Sequence, residues 1–389
     1  MDHPLIQAVR DFLESQNVHY RYLAYAGIYS DEKIQFDDPT LERTLLETVL
    51  VQIQHNDALE LAIIVVPATR RIDLESLKKI LGNKRIEFVS KSLAEQYFPD
   101  QAVEALLPFQ HFHPEVKLYF SQEILHLTDV NFCIQNSSNF IKMPLADFLT
   151  VAAPVNWLDV ATISKYKVEV AQIFPTSQRS ALHESGHCML GFSLQSQSFA
   201  PTKLAGMVEW ISRHFSECSV LIGDGIHRIT LEINGMSPEY TANRALLMGR
   251  EIIDGDAMLF KRHKNNCQFH VISTAELQKT ASYHHFHQAL CRLFHEDEAF
   301  KRSVMQFARD FVSHQHYDSV ERLTYCQQLS CQYLLEEVAI TAMLLQQGVS
   351  VFVYPGTLTI MQELSLGQHP SAPREFERLI SVNLRLKRR

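Results

Sequence analysis

Residues 187–193, with the sequence His-Cys-Met-Leu-Gly-Phe-Ser, decide the fold of the second half of the chain. They form a short apolar run that ends in a Gly/Ser turn, which is typical of a buried strand. Outward from this strand, apolar runs alternate with segments of helical periodicity. The pattern predicts strands at 187–192, 218–222, 266–273 and 349–354, and helices at 201–215, 238–253, 275–293, 297–312 and 320–347. Such alternation predicts an α/β fold, a Rossmann-like parallel sheet with helices on both faces.

The first half of the chain mixes strands and helices without strict alternation. The pattern predicts strands at 48–53, 61–66, 116–120, 130–134 and 140–143, and helices at 4–15, 73–81, 91–97 and 145–150. This order is typical of a mixed α+β domain. Residues 152–165 separate the two patterns, so we expect two domains, at 1–155 and 165–389.

The composition is that of a globular protein, with 46% hydrophobic and 21% charged residues among 389. No run approaches the roughly 18 apolar residues that a membrane span needs. The start, Met1-Asp2-His3-Pro4, lacks the layout of a secretory signal, so we expect a cytoplasmic protein with no membrane partner. A net charge of −8 argues against DNA as a partner. The sequence contains neither the Gly-x-Gly-x-x-Gly motif of dinucleotide-binding proteins nor the Gly-x-x-x-x-Gly-Lys-Ser/Thr motif that binds triphosphates, so no nucleotide cofactor is expected.

One motif indicates a different chemistry, that of a zinc-dependent hydrolase. His183-Glu184-Ser185-Gly186-His187 matches the His-Glu-x-x-His pattern, which places two imidazoles one helical turn apart. That pattern requires a helix, whereas residues 187–193 look extended, and no third ligand with a recognisable signature follows. Zinc hydrolysis is therefore kept as the alternative function, and no metal site is assigned.

Four other residues are candidates for catalysis in the α/β half. Ser193 follows the first predicted strand, at the edge where open α/β sheets carry their chemistry. Tyr333 and Glu337 are four residues apart in a helical stretch, so they share one helix face. Tyr354 ends the last predicted strand. A serine nucleophile needs a base, and no Ser-His-Asp arrangement is evident, so Glu337 or a substrate amine is the candidate proton relay.

Three segments stand in a characteristic order: Gly191-Phe192-Ser193, Tyr333-Leu334-Leu335-Glu336-Glu337 and Tyr354-Pro355-Gly356. In order and spacing they resemble the cyclodipeptide synthases, over about residues 165–389. Members of that family share the Rossmann-type catalytic domain of class I tyrosyl- and tryptophanyl-tRNA synthetases. The resemblance implies an aminoacyltransferase of secondary metabolism that makes a cyclic dipeptide, a 2,5-diketopiperazine, from two aminoacyl-tRNAs by ping-pong transfer, without a cofactor.

The resemblance also implies a role for each catalytic candidate. Ser193 matches the nucleophile that accepts the first aminoacyl group. Tyr333 and Glu337 match the pair that holds the substrate ammonium, and Tyr354 matches the tyrosine that closes the site. At the family's three marker positions the chain has Ser196, Tyr354 and Pro355, which resembles the branch with a variable residue, Tyr and Pro.

Two further groups of residues are candidates for substrate binding, the first from the same alignment and the second from charge. The residues that match the first side-chain pocket are apolar and imply a hydrophobic first amino acid: Met189, Gly191, Ile340 and Phe352. The tRNA needs phosphate contacts. The nearest basic candidates are Arg244, Arg250, Lys261, Arg262 and Lys264.

The first half resembles the YbaK/prolyl-tRNA deacylase fold, an editing domain that hydrolyses misacylated tRNA. Residues 61–67, 72–82 and 105–109 carry this resemblance. Glu47 stands where the family's functional lysine is expected, and Ala105 and Leu106 stand where glycines are expected. We therefore expect a degenerate editing centre that leaves a scaffold, tRNA-docking or regulatory module, with weak deacylase activity as the alternative.

Overall fold

The computed structural model describes residues 4–24, 39–55, 58–82, 85–99, 105–134, 136–161, 163–180, 182, 185–313, 317 and 319–389. The chain divides into two units, Met1–Lys165 and Tyr166–Arg389. Within the described ranges, no helix is long and apolar enough to cross a lipid bilayer.

The first unit contains five helices and ten strands among its described residues. Its helices are α1 (Pro4–Ser15), α2 (Pro39–Thr44), α3 (Leu74–Ile80), α4 (Lys91–Tyr97) and α5 (Leu145–Ala152). Its strands are β1 (Arg21–Ala24), β2 (Leu46–His55), β3 (Ala58–Pro67), β4 (Arg70–Arg71), β5 (Ile86–Phe88), β6 (Lys117–Ser121), β7 (Asp129–Ile134), β8 (Asn136–Pro144), β9 (Asn156–Leu158) and β10 (Ile163–Ser164).

The main sheet of this unit has the order β5-β2-β3-β6-β9. Strand β3 runs antiparallel to β2 and parallel to β6, so the sheet is mixed. Side chains of β3 alternate between two cores, with Ile63 and Val65 in one and Ile64 and Val66 in the other. An uninterrupted apolar run is what such a strand, buried on both faces, requires. The predicted α+β class of this half is confirmed.

The second unit contains eight helices and six strands in the part of the chain that the structure describes. Its helices are α6 (Pro201–His214), α7 (Asp224–Ile233), α8 (Pro238–Arg262), α9 (Thr274–Leu277), α10 (Ala281–Glu296), α11 (Glu298–Val312), α12 (Val320–Gln346) and α13 (Thr359–Ser365). Its strands are β11 (Tyr166–Phe174), β12 (His187–Phe192), β13 (Glu217–Ile222), β14 (Gln268–Ser273), β15 (Val351–Tyr354) and β16 (Ile380–Arg388).

The six strands of the second unit form one sheet with the order β11-β16-β15-β12-β13-β14. All neighbours are parallel except β11 and β16, which are antiparallel. From β12 the chain builds outward through β13 and β14 and then returns to β15, on the other side of β12. The strand order therefore reverses between β12 and β15, and in open α/β sheets ligands bind outside the carboxyl ends of the strands at such a point.

Helices cover both faces of this sheet, as the alternation predicts. Leu190 and Phe192 of β12 pack into a core shared with α6 and α8. Met189, on the opposite face of the same strand, packs into a core shared with α10, α11 and α12. The predicted Rossmann-like parallel sheet is confirmed.

Several predicted helix boundaries are wrong in this unit. The single helix expected at 275–293 is two helices, because the Thr280 hydroxyl accepts a hydrogen bond from the backbone N–H of Tyr283 and starts α10 there. Helix α8 does not stop at 253, since Asp256 and Phe260 continue its buried face as far as Arg262. Helix α7 and the paired strands β11 and β16 were not predicted.

Candidate functional site

A cavity of about 530 Å³ lies at the carboxyl ends of β12, β13 and β15, where the strand order reverses. Its size is within the range of small-molecule sites. It brings together seven of the eight predicted catalytic and pocket residues, namely Gly191, Ser193, Tyr333, Glu337, Ile340, Phe352 and Tyr354. Residues more than a hundred positions apart in the sequence therefore share one space.

Ser193 is the first residue after β12 and lies at the carboxyl ends of the parallel strands. Its Oγ lies 3.1 Å from the hydroxyl oxygen of Tyr354, which ends the neighbouring parallel strand β15. Among the described residues, no imidazole or carboxylate hydrogen-bonds to Ser193. The serine is thus presented by tyrosine hydroxyls rather than by the His-carboxylate pair of a hydrolase triad.

Gly191 keeps the space beside Ser193 open. A Cβ atom at this position would lie 3.2 Å from Cε2 of Phe352 and 3.5 Å from Cδ2 of Tyr354. The first distance is tighter than ordinary van der Waals contact between carbon atoms. A side chain at 191 would therefore push against the aromatic floor of the cavity.

Helix α12 supplies Tyr333 and Glu337 from one face, as their spacing predicts. The Tyr333 ring stacks on those of Phe307 and Phe311 of α11, with centroids 6.3 and 5.6 Å away. These three aromatic rings line the same cavity as the Glu337 carboxyl.

The Glu337 carboxyl is an acidic group in an environment that disfavours its charge. Burial raises its pKa from 4.5 to about 7. In the part of the chain that the structure describes, no cation pairs with it. The cavity therefore holds a carboxyl that a positively charged ligand group would stabilise in its ionised form.

The neighbouring carboxylate, Glu336, is in the opposite situation. It is 3% exposed and accepts two hydrogen bonds from the Arg228 guanidinium, at 2.8 and 2.6 Å. The side-chain amides of Gln278 and Gln332 donate to it at 2.8 Å each. Because Arg228 neutralises it, Glu336 anchors α12 to α7 while Glu337 is left for the cavity.

The two tyrosines of the site stay protonated at neutral pH. Burial raises the pKa of both, well above its ordinary value for Tyr333, and the negative charge of Glu337 adds to the effect. A hydrogen bond with Ser193 opposes the rise in each case. Both phenols can therefore donate hydrogen bonds to a substrate or to the Ser193 oxygen.

Among the residues that sequence reasoning missed are His227, in the cavity lining, and Asp224, at the start of the same helix. His227, on the unpredicted helix α7, lines the cavity, and its Nε2 lies 3.2 Å from Oε1 of Gln195. Burial lowers the pKa of His227 to about 4, so the imidazole is neutral. Asp224, at the start of α7, accepts hydrogen bonds from Ser273 Oγ at 2.7 Å and from the Ala275 amide at 3.1 Å. The sequence has no capping signal for α7, because its cap residue, Gly223, carries no side chain that could accept a hydrogen bond.

The predicted side-chain pocket is only partly reproduced in the cavity lining. Gly191, Ile340 and Phe352 line the cavity, joined by Leu221 and Ile226. Met189 is fully buried two residues before Gly191 and is not among the lining residues. Its side chain packs under the cavity rather than in it.

The five predicted tRNA-contacting residues lie away from this cavity lining. Arg244, Arg250, Lys261 and Arg262 belong to α8, and Lys264 follows in the next turn. All five side chains are exposed, and Arg244 lies 3.8 Å from the Glu251 carboxylate.

The second histidine of the His-Glu-x-x-His motif lies in a strand and not in the helix that a zinc protease needs. His187 begins strand β12, and its Nε2 lies 3.0 Å from Ser219 Oγ. His183 and Glu184 lie outside the described residues. The described residues contain no group of three or more His, Cys, Asp or Glu side chains arranged to hold a metal ion.

In the first unit, the positions that depart from the editing-domain pattern are structural. The Glu47 carboxylate forms an ion pair with the Lys165 ammonium. Ala105 and Leu106 are buried among core residues.

Comparison with known families finds one match in each half of the chain. The pattern of the family described as cyclodipeptide synthase matches residues 171–376. The pattern of the aminoacyl-tRNA editing domain matches residues 40–150. No curated protein sequence matches the chain.

Solved structures similar to this chain include three proteins of the synthase class. A cyclodipeptide synthase from Fluoribacter dumoffii is 21% identical, with 58% of this chain and 99% of that chain covered and a TM-score of 0.49. A cyclo(L-leucyl-L-phenylalanyl) synthase is 18% identical, with coverage of 58% and 99% and a TM-score of 0.46. A Mycobacterium tuberculosis protein, described as showing that cyclodipeptide synthetases are related to type I tRNA synthetases, is 16% identical, with coverage of 58% and 94% and a TM-score of 0.47.

Proposed function

The chain belongs to the cyclodipeptide synthase family, and on that basis we propose that it joins two aminoacyl groups, each delivered by a tRNA, through an ester on Ser193. The observation that carries the proposal is the shared cavity. A serine hydroxyl, two phenols and an unpaired carboxyl line one space of small-molecule size.

The first step transfers an aminoacyl group to the serine. The Ser193 oxygen attacks the carbonyl carbon of the first aminoacyl-tRNA, the new Oγ–C bond replaces the bond to the tRNA ribose oxygen, and that oxygen takes up a proton. An aminoacyl-tRNA is already an activated ester, so no further energy input is needed. The proton passes through the substrate amine or Glu337, since no base hydrogen-bonds to Ser193 among the described residues.

The second and third steps make the two peptide bonds. The amine of the second aminoacyl-tRNA attacks the Ser193 ester, which frees the serine and leaves a dipeptide esterified to the second tRNA. The free amine of that dipeptide then attacks its own ester carbonyl, closing the six-membered diketopiperazine ring and releasing the tRNA. The covalent intermediate makes the transfer ping-pong in form.

Glu337 holds the ammonium of the first aminoacyl group in this scheme. Its pKa of about 7 means that about half of the empty protein carries the negative charge at neutral pH. An ammonium beside it offsets the cost of burial for both groups. The Glu337 carboxylate thereby fixes where the substrate carbonyl lies relative to Ser193. Glu337 itself is four residues, or about one helical turn, from Tyr333.

The tyrosines direct hydrogen bonds at the reacting atoms. Tyr354, 3.1 Å from Ser193 Oγ, orients the hydroxyl and closes the site, and Tyr333 assists Glu337 in holding the ammonium and in proton transfer. We place the chain in the variable-Tyr-Pro branch of the family, a proposal that Ser196, Tyr354 and Pro355 support.

The first amino acid of the product is hydrophobic in our proposal. Gly191, Ile340 and Phe352 give the cavity an apolar wall that suits an aliphatic or aromatic side chain. Met189 shapes that wall from beneath, as a fully buried residue of the same strand.

The exposed cations of α8 and the following turn contact the tRNA phosphates. We assign this role to Arg244, Arg250, Lys261, Arg262 and Lys264, whose exposure leaves them accessible to a polyanion. Because aminoacyl-tRNAs are made and used in the cytoplasm, the reaction takes place there. DNA and membranes have no part in it.

We propose the same two domains that the sequence pattern predicts, and the two family matches lie within them. Residues 165–389 form the synthase domain, and residues 1–155 form a degenerate editing-type domain that serves as a scaffold, tRNA-docking or regulatory module. The Glu47–Lys165 ion pair supports the degenerate reading, because Glu47 is engaged structurally where the editing pattern has a functional lysine.

Product analysis tests the proposal. The chain is expressed in a bacterium, and the medium is searched for diketopiperazines by mass spectrometry. We expect a cyclic dipeptide from the wild type and from Ser282→Ala, a serine of α10 outside the cavity lining, and none from Ser193→Ala. Folded wild-type protein without any diketopiperazine would refute the proposal, and product from Ser193→Ala would refute the covalent route.

A further inference from the structure

The loop after Ser193 contains a residue in an unfavourable backbone conformation. Gln195 has φ = +60°, in the left-handed region that glycine, asparagine and aspartate adopt far more readily than glutamine. Such a conformation persists only where the surrounding structure holds it, and it is concentrated at functional sites. Gln195 is two residues from the proposed nucleophile, so what holds it bears on how the nucleophile is presented.

The contact that holds Gln195 comes from across the cavity wall. Its side-chain Oε1 lies 3.2 Å from Nε2 of His227 on α7, and both residues line the cavity. His227 is 4% exposed, and its backbone N–H bonds to the Gly223 carbonyl at 2.8 Å in the first turn of α7. The buried imidazole of His227, fixed on a helix, therefore hydrogen-bonds to Gln195, the exposed loop residue with the unfavourable backbone conformation.

The other contacts of the loop fix different parts of it. The Ser196 amide donates to the Ser193 carbonyl at 3.3 Å, within the loop itself. Lys203 of α6 donates through Nζ to the Gln197 carbonyl at 2.9 Å, beyond the turn. The His227–Gln195 hydrogen bond is the one that joins the middle of the turn to α7.

We propose that this hydrogen bond, which we term the latch, holds residues 193–198 in the conformation that presents the Ser193 hydroxyl to the substrate ester. His227 and Gln195 are then positioning residues for acyl transfer, and the inference rests on the proposed function. The imidazole donates its Nε2–H to the amide oxygen, and a neutral ring suffices for this.

The test compares variants that differ in one hydrogen bond. His227→Phe keeps the ring volume and removes the N–H donor, Gln195→Ala removes the acceptor, and His227→Gln places an amide N–H where the imidazole Nε2 was. The single-turnover rate of Ser193 ester formation is measured with aminoacyl-tRNA, together with KM and the melting temperature. Two exposed residues of α10 provide matched controls, His285→Phe and Gln288→Ala.

We expect His227→Phe and Gln195→Ala each to slow ester formation by about tenfold, with little change in KM, since the cost is that of one lost hydrogen bond. The double variant should be no slower than either single variant, because both remove the same bond. His227→Gln should form the ester at close to the wild-type rate, and faster than His227→Phe. If His227 only filled space, the order would be the reverse, because phenylalanine is closer in shape to histidine than glutamine is. The controls should match the wild type.

Three results would overturn the latch. Unchanged ester formation in Gln195→Ala, an exposed position where folding is not at stake, removes it directly. Losses in the two single variants that multiply in the double variant show independent effects. Equal rates for His227→Gln and His227→Phe assign the effect to packing. A wild-type protein that forms neither ester nor product overturns the proposed function itself. The wild-type measurement alone therefore separates failure of the proposed function from failure of the latch.

Discussion

Replacing Glu337 with glutamine should abolish synthesis and at the same time make the second unit more stable. The carboxyl is held in a cavity whose walls disfavour its charge, and its pKa is raised from 4.5 to about 7 by burial. An ionised carboxylate there is useful only when an ammonium occupies the site. In the empty protein the buried negative charge lowers the free energy of unfolding, and Glu337→Gln removes this charge.

The size and sign of the effect follow from proton linkage. Between pH 4.5 and about 7 the unfolded chain has lost the Glu337 proton while the folded protein keeps it, so stability falls as the pH rises through this window. The loss is about 1.4 kcal/mol per pH unit, or about 3 kcal/mol in all above pH 7. Glutamine does not titrate, so Glu337→Gln should be about 3 kcal/mol more stable than the wild type at pH 8 and about 1 kcal/mol more stable at pH 5.5.

Calorimetry and denaturant titration of the full chain at several pH values measure this gap, with the transition of the second unit followed separately because two units need not unfold together. Glu336→Gln is the matched control, one residue away on the same helix. It leaves the Arg228 guanidinium without its buried carboxylate partner. We expect it to destabilise the unit by about 3 kcal/mol or more at every pH in the range.

A stability gap between wild type and Glu337→Gln that does not change from pH 5.5 to pH 8 would refute the raised pKa. A glutamine variant that is less stable at pH 8 would show that Glu337 has a partner that holds its charge. Retention of full synthesis by Glu337→Gln would remove the carboxylate from the reaction altogether.

Three further outcomes follow from the site and the fold. Tyr354→Phe removes the hydroxyl 3.1 Å from Ser193 Oγ and should lower kcat/KM about five- to tenfold, the effect of one hydrogen bond; an unchanged value would show that this contact is idle. Gly191→Val places carbon against the Phe352 ring and should shift the product profile, read by mass spectrometry, toward smaller first residues, at a cost of about tenfold or more for the largest; the same profile at the same yield would rule out this wall as the pocket. Thr280→Ala removes the N-cap of α10 and should reduce unfolding free energy by about 1 kcal/mol with kcat intact; loss of activity without loss of stability would contradict a purely structural cap.

The elements that were predicted well are those whose pattern is set by burial. The run 187–192 gives β12 its bounds, since all but its first residue are buried. The helix predicted at 320–347 is found at Val320–Gln346, because an apolar segment of this length is too long for a strand. Because β12 and α12 carry Ser193, Tyr333 and Glu337, the catalytic candidates were placed on the right elements.

Strands β11 and β16 and helix α7 were missed for different reasons. Strands β11 and β16 form an antiparallel edge in which charged side chains interact across the pair, such as Lys387 with Glu169 at 2.6 Å. Both strands do alternate apolar and polar residues, with Val168 and Val170 in β11 and Val382, Leu384 and Leu386 in β16, so this alternation could have predicted them. Helix α7 begins without a side-chain hydrogen bond at its cap residue Gly223, so the usual start signal was absent.

Missing α7 also hid part of the site. His227 is one of 19 histidines, and nothing in its sequence neighbourhood sets it apart. Its place in the cavity depends on the turn after β12 and on the helix after β13 meeting at one sheet edge. Met189 was predicted to line the pocket and does not. The alignment placed it on the correct strand and face, but Gly191 and Phe352 occupy the lining at that place.

The central claim is that an amino acid passes through the Ser193 oxygen. Purified protein is mixed with one aminoacyl-tRNA, quenched in acid within seconds and examined by intact-mass and peptide mass spectrometry. The account predicts a mass increase of one aminoacyl residue, located at Ser193 and absent from Ser193→Ala. Cyclic dipeptide formation by a protein that never carries this adduct, or an adduct on another residue, would contradict it.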